Sequence, residues 1–281
     1  MKNKTTLAIM FFIFFIFGNW GHCKLLTANQ ENVKQKELEN YLKTAKIDPD
    51  RDKRGRRTEA YKVSLDDGKI KRGGFLKLTD RTRPNHPLPD SYKYGIAAYE
   101  LDKLLDLNLV PPVVEREIEG GKGSLMIYLE GPLRESDRRR RKIEPPDPKI
   151  FENTLEELNV FENLIYSSAL CEVGGDDLGD ILIMHKEDWK VWRVDFSEAF
   201  APSPELIPGC KITRCSKKLY QNLIKLDDKV LKAKLKHYLN EEEISMLLKR
   251  KKIIIEKIKQ LIDEKGEDSV LFSSKSITTG I

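Results

Sequence analysis

Residues 174–200, GGDDLGDILIMHKEDWKVWRVDFSEAF, concentrate the acidic and apolar signals that decide the fold. Three carboxylates, Asp176, Asp177 and Asp180, lie in a loop that contains glycine. Two short apolar runs follow, joined by a polar tetrapeptide that is typical of a hairpin turn. A fourth carboxylate, Asp195, comes directly after the second run. This order predicts that a loop and a hairpin bring acidic groups to one point.

Such a convergence of carboxylates needs a cation or a shared proton, because like charges at short distance repel one another. Phosphate-handling sites meet this need with a divalent metal ion that is bound through carboxylate oxygens. Loop acids that are simply solvated are the other interpretation of the same residues. The spacing alone leaves both interpretations open.

A second informative segment is IAAYELDKLLDLNLVPPVVER, residues 96–116. Apolar residues recur at helical spacing in its first half and predict a helix from about Ser91 to Asp106. Two prolines then separate this helix from an apolar, β-branched run, which predicts a strand. The segment is therefore expected to form a helix-to-strand module.

The stretch before this module predicts a β-hairpin that carries a lysine. Asp66-Asp67-Gly68 lies between two alternating runs, which is a strong short-range hairpin signal. The second run ends at Lys77, whose neighbours Phe75, Leu76 and Leu78 are apolar. The side chain of Lys77 is thus expected on a sheet near the core, and a lysine that only snorkels to solvent is the alternative.

These segments together resemble the protein-kinase-like superfamily. The resemblance is strongest to a bacterial group related to phosphoinositide kinases and to secretory-pathway kinases of the Golgi casein kinase type. Residues 96–116 are similar to the group's EIAAYELDKLLGLNMVPPTVER, and residues 194–200, VDFSEAF, are similar to its IDHTRAF. The resemblance implies an α+β, two-lobed protein-kinase-like fold, with a small β-rich N-lobe and a mainly helical C-lobe.

The resemblance also implies roles for five residues. Lys77 would bind the phosphates of a nucleotide, and Asp180 and Asp195 would bind a metal ion. Asp176 or Asp177 would orient or deprotonate the acceptor hydroxyl. The implied cofactor is ATP with Mg²⁺ or Mn²⁺, and the implied activity is that of a kinase-like phosphotransferase with an unknown protein or small-molecule acceptor.

Two departures from the family pattern leave other functions open. Gly95 stands where the family has a glutamate at the helix start, and Glu100 lies on another face of that helix. The family's catalytic aspartate lies five residues before the metal-binding position, whereas Asp176 and Asp177 lie four and three residues before Asp180. A catalytically degenerate pseudokinase, acting as a nucleotide- or protein-binding scaffold, is therefore the alternative. A structural envelope protein is the third possibility.

The N-terminus predicts export. Lys2 and Lys4 precede an apolar run from Leu7 to Phe17, and this pattern is typical of a secretory signal. An uncleaved membrane anchor is the other interpretation. The expected location is the periplasm, the cell envelope or the medium, and peripheral membrane association is compatible with it.

Composition limits the partners. The 281 residues include 50 basic and 45 acidic side chains, for a formal charge of +5. This small excess does not indicate a nucleic-acid partner. The partners that the family resemblance implies are a nucleotide and an acceptor.

The sequence divides into six predicted segments. These are a signal peptide (1–23), a polar arm or linker (24–59), the N-lobe (60–132), a basic, proline-rich loop (133–148), the C-lobe (149–270) and a disordered tail (271–281). The cysteines give one further expectation. Cys210 and Cys215 are close in sequence, and in an oxidising compartment they could form a local disulfide.

The first prediction concerns the signal. Removal of roughly the first 20 to 25 residues is expected on export, because a charged region followed by an apolar run is the pattern of a cleaved secretory signal. N-terminal sequencing of the mature protein measures this directly. An intact Met1 on protein recovered from the cytoplasm would contradict the predicted location.

Overall fold

An antiparallel sheet and a helical body form the two lobes of the protein, as the α+β, two-lobed prediction requires. The computed structural model describes residues 28–54, 58–82, 89–118, 121–167 and 178–273. The helices are α1 (Ala28–Thr44), α2 (Lys93–Leu105), α3 (Glu135–Arg141), α4 (Pro148–Ile165), α5 (Lys217–Lys225), α6 (Asp228–Leu235), α7 (Glu241–Lys265) and α8 (Glu267–Val270). The strands are β1 (Lys46–Lys53), β2 (Ala60–Asp66), β3 (Lys71–Lys77), β4 (Asp80–Arg81), β5 (Asp90–Ser91), β6 (Val113–Ile118), β7 (Gly121–Ile127), β8 (Leu133–Arg134), β9 (Ile181–Ile183), β10 (Val191–Arg193), β11 (Cys215–Ser216) and β12 (Leu271–Phe272).

The N-lobe sheet has the strand order β1-β2-β3-β7-β6, and each neighbouring pair is antiparallel. Its central hairpin turns at the predicted place, since Asp66 of β2 pairs with Lys71 of β3. The Asp66 carboxylate accepts the Gly68 backbone N–H at 2.7 Å, and Gly68 has a φ of +85°, which glycine adopts without strain. The hairpin prediction is confirmed.

Helix α1 covers one face of this sheet. Tyr41 and Leu42 are buried against Val63 and Leu65 of β2 in a small core of their own. Gly74 on β3 is required by this packing, because a Cβ there would lie 2.9 Å from the Leu125 side chain. The N-lobe therefore includes residues well before position 60.

The predicted polar arm, residues 24–59, is corrected by this arrangement. Residues 28–44 form α1, and Lys46–Lys53 forms β1, which pairs with β2. The charged composition of β1 hid the strand, because an edge strand buries little of its surface and tolerates charge and proline.

Helix α2 belongs to the core of the C-lobe although it follows the N-lobe hairpin. Its buried residues include Ile96, Leu101 and Leu105, and they share one core with α4 to α7. At its start, the Tyr94 hydroxyl donates to Glu243 of α7 at 2.6 Å. At its end, the Asn222 amide of α5 donates to the Leu105 carbonyl at 2.8 Å. Helix α2 is thus hydrogen-bonded to the C-lobe at both ends.

Arg250 of α7 fixes the backbone in the centre of the C-lobe. It is 0% exposed, and burial lowers its pKa to about 10. Its guanidinium donates to the carbonyls of Leu164 at 2.8 Å and Ala201 at 3.0 Å, and also to that of Ser203. Helix α7 thereby connects the end of α4 to the segment that follows Asp195.

Two further segments differ from the prediction. The basic loop predicted for residues 133–148 contains α3, which is stabilised by buried Glu135 accepting from Arg138 at 2.6 Å and Arg139 at 2.8 Å. These pairs, three and four residues apart, favour a helix that apolar periodicity could not reveal. The predicted disordered tail begins with β12, which pairs with β11 and buries Leu271 and Phe272.

The predicted disulfide between Cys210 and Cys215 is also corrected. Cys215 is a free, buried thiol, and Cys210 is disulfide-bonded. Since Cys215 is free, the partner of Cys210 lies outside the described residues. Burial raises the pKa of the Cys215 thiol, which keeps it in its unreactive, protonated form.

The predicted signal segment, residues 1–23, lies outside the described residues. Among the helices within residues 28–273 that the structure describes, none is long and apolar enough to cross a membrane.

Asp102 generates a pH-dependent prediction. Its carboxylate is 0% exposed and accepts the Leu109 backbone N–H at 2.8 Å, where the chain leaves α2. Burial raises its pKa from 3.8 to about 7, against the smaller opposing effect of backbone N–H groups and Lys190. The stability that Asp102 contributes is therefore full below about pH 4 and is lost as the pH rises through about 7.

We expect Asp102→Asn to remove this loss, because the amide oxygen still accepts from Leu109 and carries no charge. The free energy of unfolding of the variant should exceed that of the wild type at pH 8 by on the order of 2–4 kcal/mol. The difference should shrink towards pH 4. Urea unfolding between pH 4 and pH 8 measures it, and identical pH profiles for the two proteins would contradict the burial argument.

Candidate active site

A cleft of about 700 Å³ lies between the sheet and the helical lobe. Ala60, Phe75 and Met126 from the sheet form one wall, and Leu182 of β9 lies on the opposite side. Lys77, Asp180 and Asp195 also line this cleft. The structure therefore brings together three of the five residues that the sequence singled out.

Asp176 and Asp177 lie outside the described residues. Their predicted catalytic role stays a prediction.

Lys77 ends strand β3 and directs its amine into the cleft. Its Nζ donates to Asp90 Oδ1 at 2.8 Å and to Ser197 Oγ at 2.6 Å. The Lys77 side chain is 13% exposed, and Asp90 as a whole is 2% exposed. The lysine is thus held in a buried ion pair and also contacts the C-lobe segment after β10.

Asp90 supplies the carboxylate that Gly95 lacks. Gly95 lines the cleft, and a Cβ placed there would meet no atom within 4 Å, so this position offers open space. Glu100 does not reach the lysine, because it pairs with Lys103 at 3.0 Å and with Lys234 at 2.9 Å. The partner comes from β5, which pairs with β4 just ahead of α2.

Asp195 follows β10 in an unusual backbone conformation. Its φ is +57°, in the left-handed region that non-glycine residues rarely adopt. The Tyr166 hydroxyl donates to the Asp195 carbonyl at 3.1 Å, and the Ser197 hydroxyl donates to the Asp195 carboxylate. The exposed carboxylate is thereby turned towards the cleft.

Arg193 lies beneath the two candidate metal ligands. It is 2% exposed, and its Nε donates to buried Glu162 at 2.5 Å, which compensates its charge. Its Nη1 lies 3.6 Å from Asp180 Oδ2 and 3.4 Å from the Asp195 carbonyl oxygen. Arg193 therefore connects the turn that carries Asp180 to the turn that carries Asp195.

The donor set fits a hard divalent cation that is shared with a phosphate ligand. Within the part of the chain that the structure describes, no group of three or more His, Cys, Asp or Glu side chains forms a self-sufficient metal site. Mg²⁺ does not need one, because it is commonly bound through one or two carboxylates together with substrate phosphates and water. Asp180 and Asp195 offer those carboxylates in one cleft, and Lys77 offers a cation for the phosphates.

Other cations also line the cleft. Arg54, which pairs with Asp52, directly follows β1, and Arg134 lies on β8 opposite Leu182. Their positive charge is complementary to an anionic ligand.

The fold of the chain is similar to those of known structures. The chain is similar to the solved structure of hydra Fam20 with sugar, with a TM-score of 0.62 and 15% identity over 86% of this chain and 93% of that chain. The chain has a protein-kinase-like fold. This kinase-like fold is also similar to that of the Helicobacter pylori proinflammatory kinase CtkA, with a TM-score of 0.50 and 10% identity over 81% and 98% of the two chains. By sequence, no family model and no curated protein matches.

Within the kinase-like fold, sequence reasoning missed Asp90, Ser197 and Arg193. Asp90 follows a proline-bearing stretch without periodicity, and nothing local marks it as the partner of a lysine thirteen residues earlier. The sequence carried one weak indication for Ser197, which is that it lies two residues after the candidate metal ligand Asp195. Arg193 is a charged residue at the end of an apolar run, and such a position predicts a buried partner without naming it.

The Lys77–Asp90 pair generates a stability prediction that does not depend on function. Lys77→Met is expected to lower the free energy of unfolding by about 3 kcal/mol, because it leaves the buried Asp90 carboxylate without its cation. Adding Asp90→Asn should restore much of this loss. Urea unfolding of the two single variants and the double variant measures the coupling.

Lys62→Met is the matched control. Lys62 lies on the neighbouring strand β2, pairs with exposed Glu130 at 3.0 Å and has its Nζ 4.0 Å from the centre of the Tyr128 ring, so its loss should cost about 1 kcal/mol. Equal effects at Lys77 and Lys62 would show that Asp90 does not depend on its partner.

Proposed function

We propose that the chain is an extracytoplasmic kinase-like phosphotransferase that uses a metal–nucleotide complex. The observation that carries the proposal is the convergence of Lys77, Asp180 and Asp195 in one cleft between the lobes of a kinase-like fold. The kinase activity named for the Helicobacter protein supports the same chemistry here.

Each residue has a part that its position supports. Lys77 neutralises phosphate oxygens while Asp90 keeps its amine directed into the cleft. Asp180 and Asp195 bind Mg²⁺ or Mn²⁺ through oxygen, the ligand that hard cations prefer. Asp176 or Asp177 orients the acceptor hydroxyl and takes its proton. The bound nucleotide, most simply ATP, supplies the phosphoryl group.

The pseudokinase scaffold is the second candidate, and the observation that favours it is Gly95. In the family pattern, the glutamate at that position pairs with the phosphate-binding lysine or binds metal, and Gly95 can do neither. Asp90 weakens this objection, because a buried carboxylate already pairs with Lys77. Turnover, and not binding, distinguishes the two candidates.

Export and acceptor complete the proposal. The predicted signal supports a location outside the cytoplasm, in the periplasm, the envelope or the medium. The acceptor is a protein or a small molecule, and the sugar in the hydra Fam20 structure supports testing carbohydrate acceptors first. No nucleic-acid partner is proposed.

The decisive experiment measures nucleotide-dependent thermal stabilisation and turnover together. The purified domain is screened with ATP and GTP, each with Mg²⁺ and with Mn²⁺. Asp195→Ala should remove most of the shift in Tm that nucleotide produces with Mg²⁺ or Mn²⁺, because a metal ligand is lost and much of the phosphate charge is left uncompensated. Asp176→Ala should keep the shift while turnover falls by about 10²–10⁴-fold, as expected for a lost general base.

Glu187→Gln is the control, because this exposed carboxylate lies in the β9–β10 turn and does not line the cleft. A wild type that binds nucleotide without turnover would support the scaffold instead. A wild type that no nucleotide stabilises with either metal would overturn both candidates and leave a structural envelope protein.

A further inference from the structure

Four polar side chains form one continuous chain across the cleft. Asp90 accepts from Lys77 at 2.8 Å, Lys77 donates to the Ser197 hydroxyl at 2.6 Å, and that hydroxyl donates to Asp195 Oδ1. Ser197 is therefore the link between the proposed phosphate-binding lysine and a proposed metal ligand.

The proton positions in this chain follow from the chemistry of the groups. A lysine ammonium only donates, so the Ser197 oxygen accepts from it. An ionised carboxylate only accepts, so the Ser197 proton points to Asp195. Among the described residues, Asp90 and Ser197 take two of the three N–H groups of Lys77.

The two partners of Lys77 differ in how readily they are displaced. Asp90 is a buried carboxylate, and its contact joins two opposite charges. Ser197 is a neutral, half-buried hydroxyl, and contacts between two ions are the stronger kind. A phosphate oxygen that competes for Lys77 therefore replaces Ser197 before it replaces Asp90.

We propose that Ser197 is a positioning residue that couples metal binding at Asp195 to phosphate binding at Lys77. This inference rests on the proposed function. In the free protein the hydroxyl occupies one N–H of Lys77 and one lone pair of Asp195. With a cation held at Asp195, this carboxylate would no longer accept from the Ser197 hydroxyl, and Ser197 would then release the N–H of Lys77 to a second phosphate oxygen.

The coupling gives Ser197→Ala a distinctive expected effect. Without the hydroxyl, Lys77 is available before any metal arrives, so metal-free nucleotide should bind about 3- to 10-fold more tightly, the range for one displaced hydrogen bond. Affinity in saturating Mg²⁺ should change less than about twofold on the same reasoning. The factor by which Mg²⁺ improves binding should therefore shrink. A merely structural role for Ser197 would weaken both affinities together.

Isothermal titration calorimetry with ATP, in Mg²⁺ and in EDTA, measures the four affinities of wild type and Ser197→Ala. Ser197→Thr keeps the hydroxyl and should restore the wild-type coupling factor, which is the ratio of ATP affinity in Mg²⁺ to ATP affinity in EDTA. Ser203→Ala is the matched control, because Ser203 lies in the same connection, and among the described residues its hydroxyl accepts from the Glu205 backbone N–H at 3.3 Å and does not contact Lys77 or Asp195.

The outcomes separate this inference from the proposed function. A wild type that binds no ATP with either Mg²⁺ or Mn²⁺ overturns the proposed function and this coupling with it. If the wild type binds ATP and Mg²⁺ improves binding by the same factor in the wild type and in Ser197→Ala, the coupling alone is overturned. A smaller factor that Ser197→Thr restores supports it.

Discussion

The buried ammonium of Lys77 is the charge around which the cleft is arranged. Lys77 is the last residue of β3 in the N-lobe sheet. Its contacts with Asp90 and Ser197 connect that sheet to β5 and to the C-lobe. A lysine at this depth is unfavourable without a partner, because burial removes the water that would solvate its charge. The segment before α2 and the turn after β10 therefore have to meet at this one nitrogen.

Elements with strong local signals could be predicted from the sequence. The hairpin at Gly68 and the N-cap of α7 at Asn240, where a capping box forms with Glu243, depend on residues within a few positions of one another. Strand β1 and helix α3 could not be predicted in this way. Their residues are mostly charged, and their partners lie across a strand pair or one helical turn, where apolar periodicity carries no signal.

The candidate site divides in the same manner. The cleft includes Lys77, Asp180 and Asp195, which the family resemblance indicated. Asp90 could not be predicted, because its contact with Lys77 depends on the β4–β5 pair and on the path of the chain into α2. The contacts of Ser197 depend on the left-handed backbone conformation of Asp195. That conformation is stabilised by residues distant in sequence, such as Tyr166, whose hydroxyl donates to the Asp195 carbonyl.

Arg250 has a consequence for the order in which the protein is made. Arg250 lies in α7, the last long helix among the described residues. Its guanidinium nevertheless donates to carbonyls at the end of α4 and in the segment just after Asp195. A chain that has been synthesised only to residue 240 has the acidic turns but lacks the cation that fixes the backbone on both sides of them. These backbone hydrogen bonds on both sides of the cleft can therefore form only after Arg250 has been synthesised.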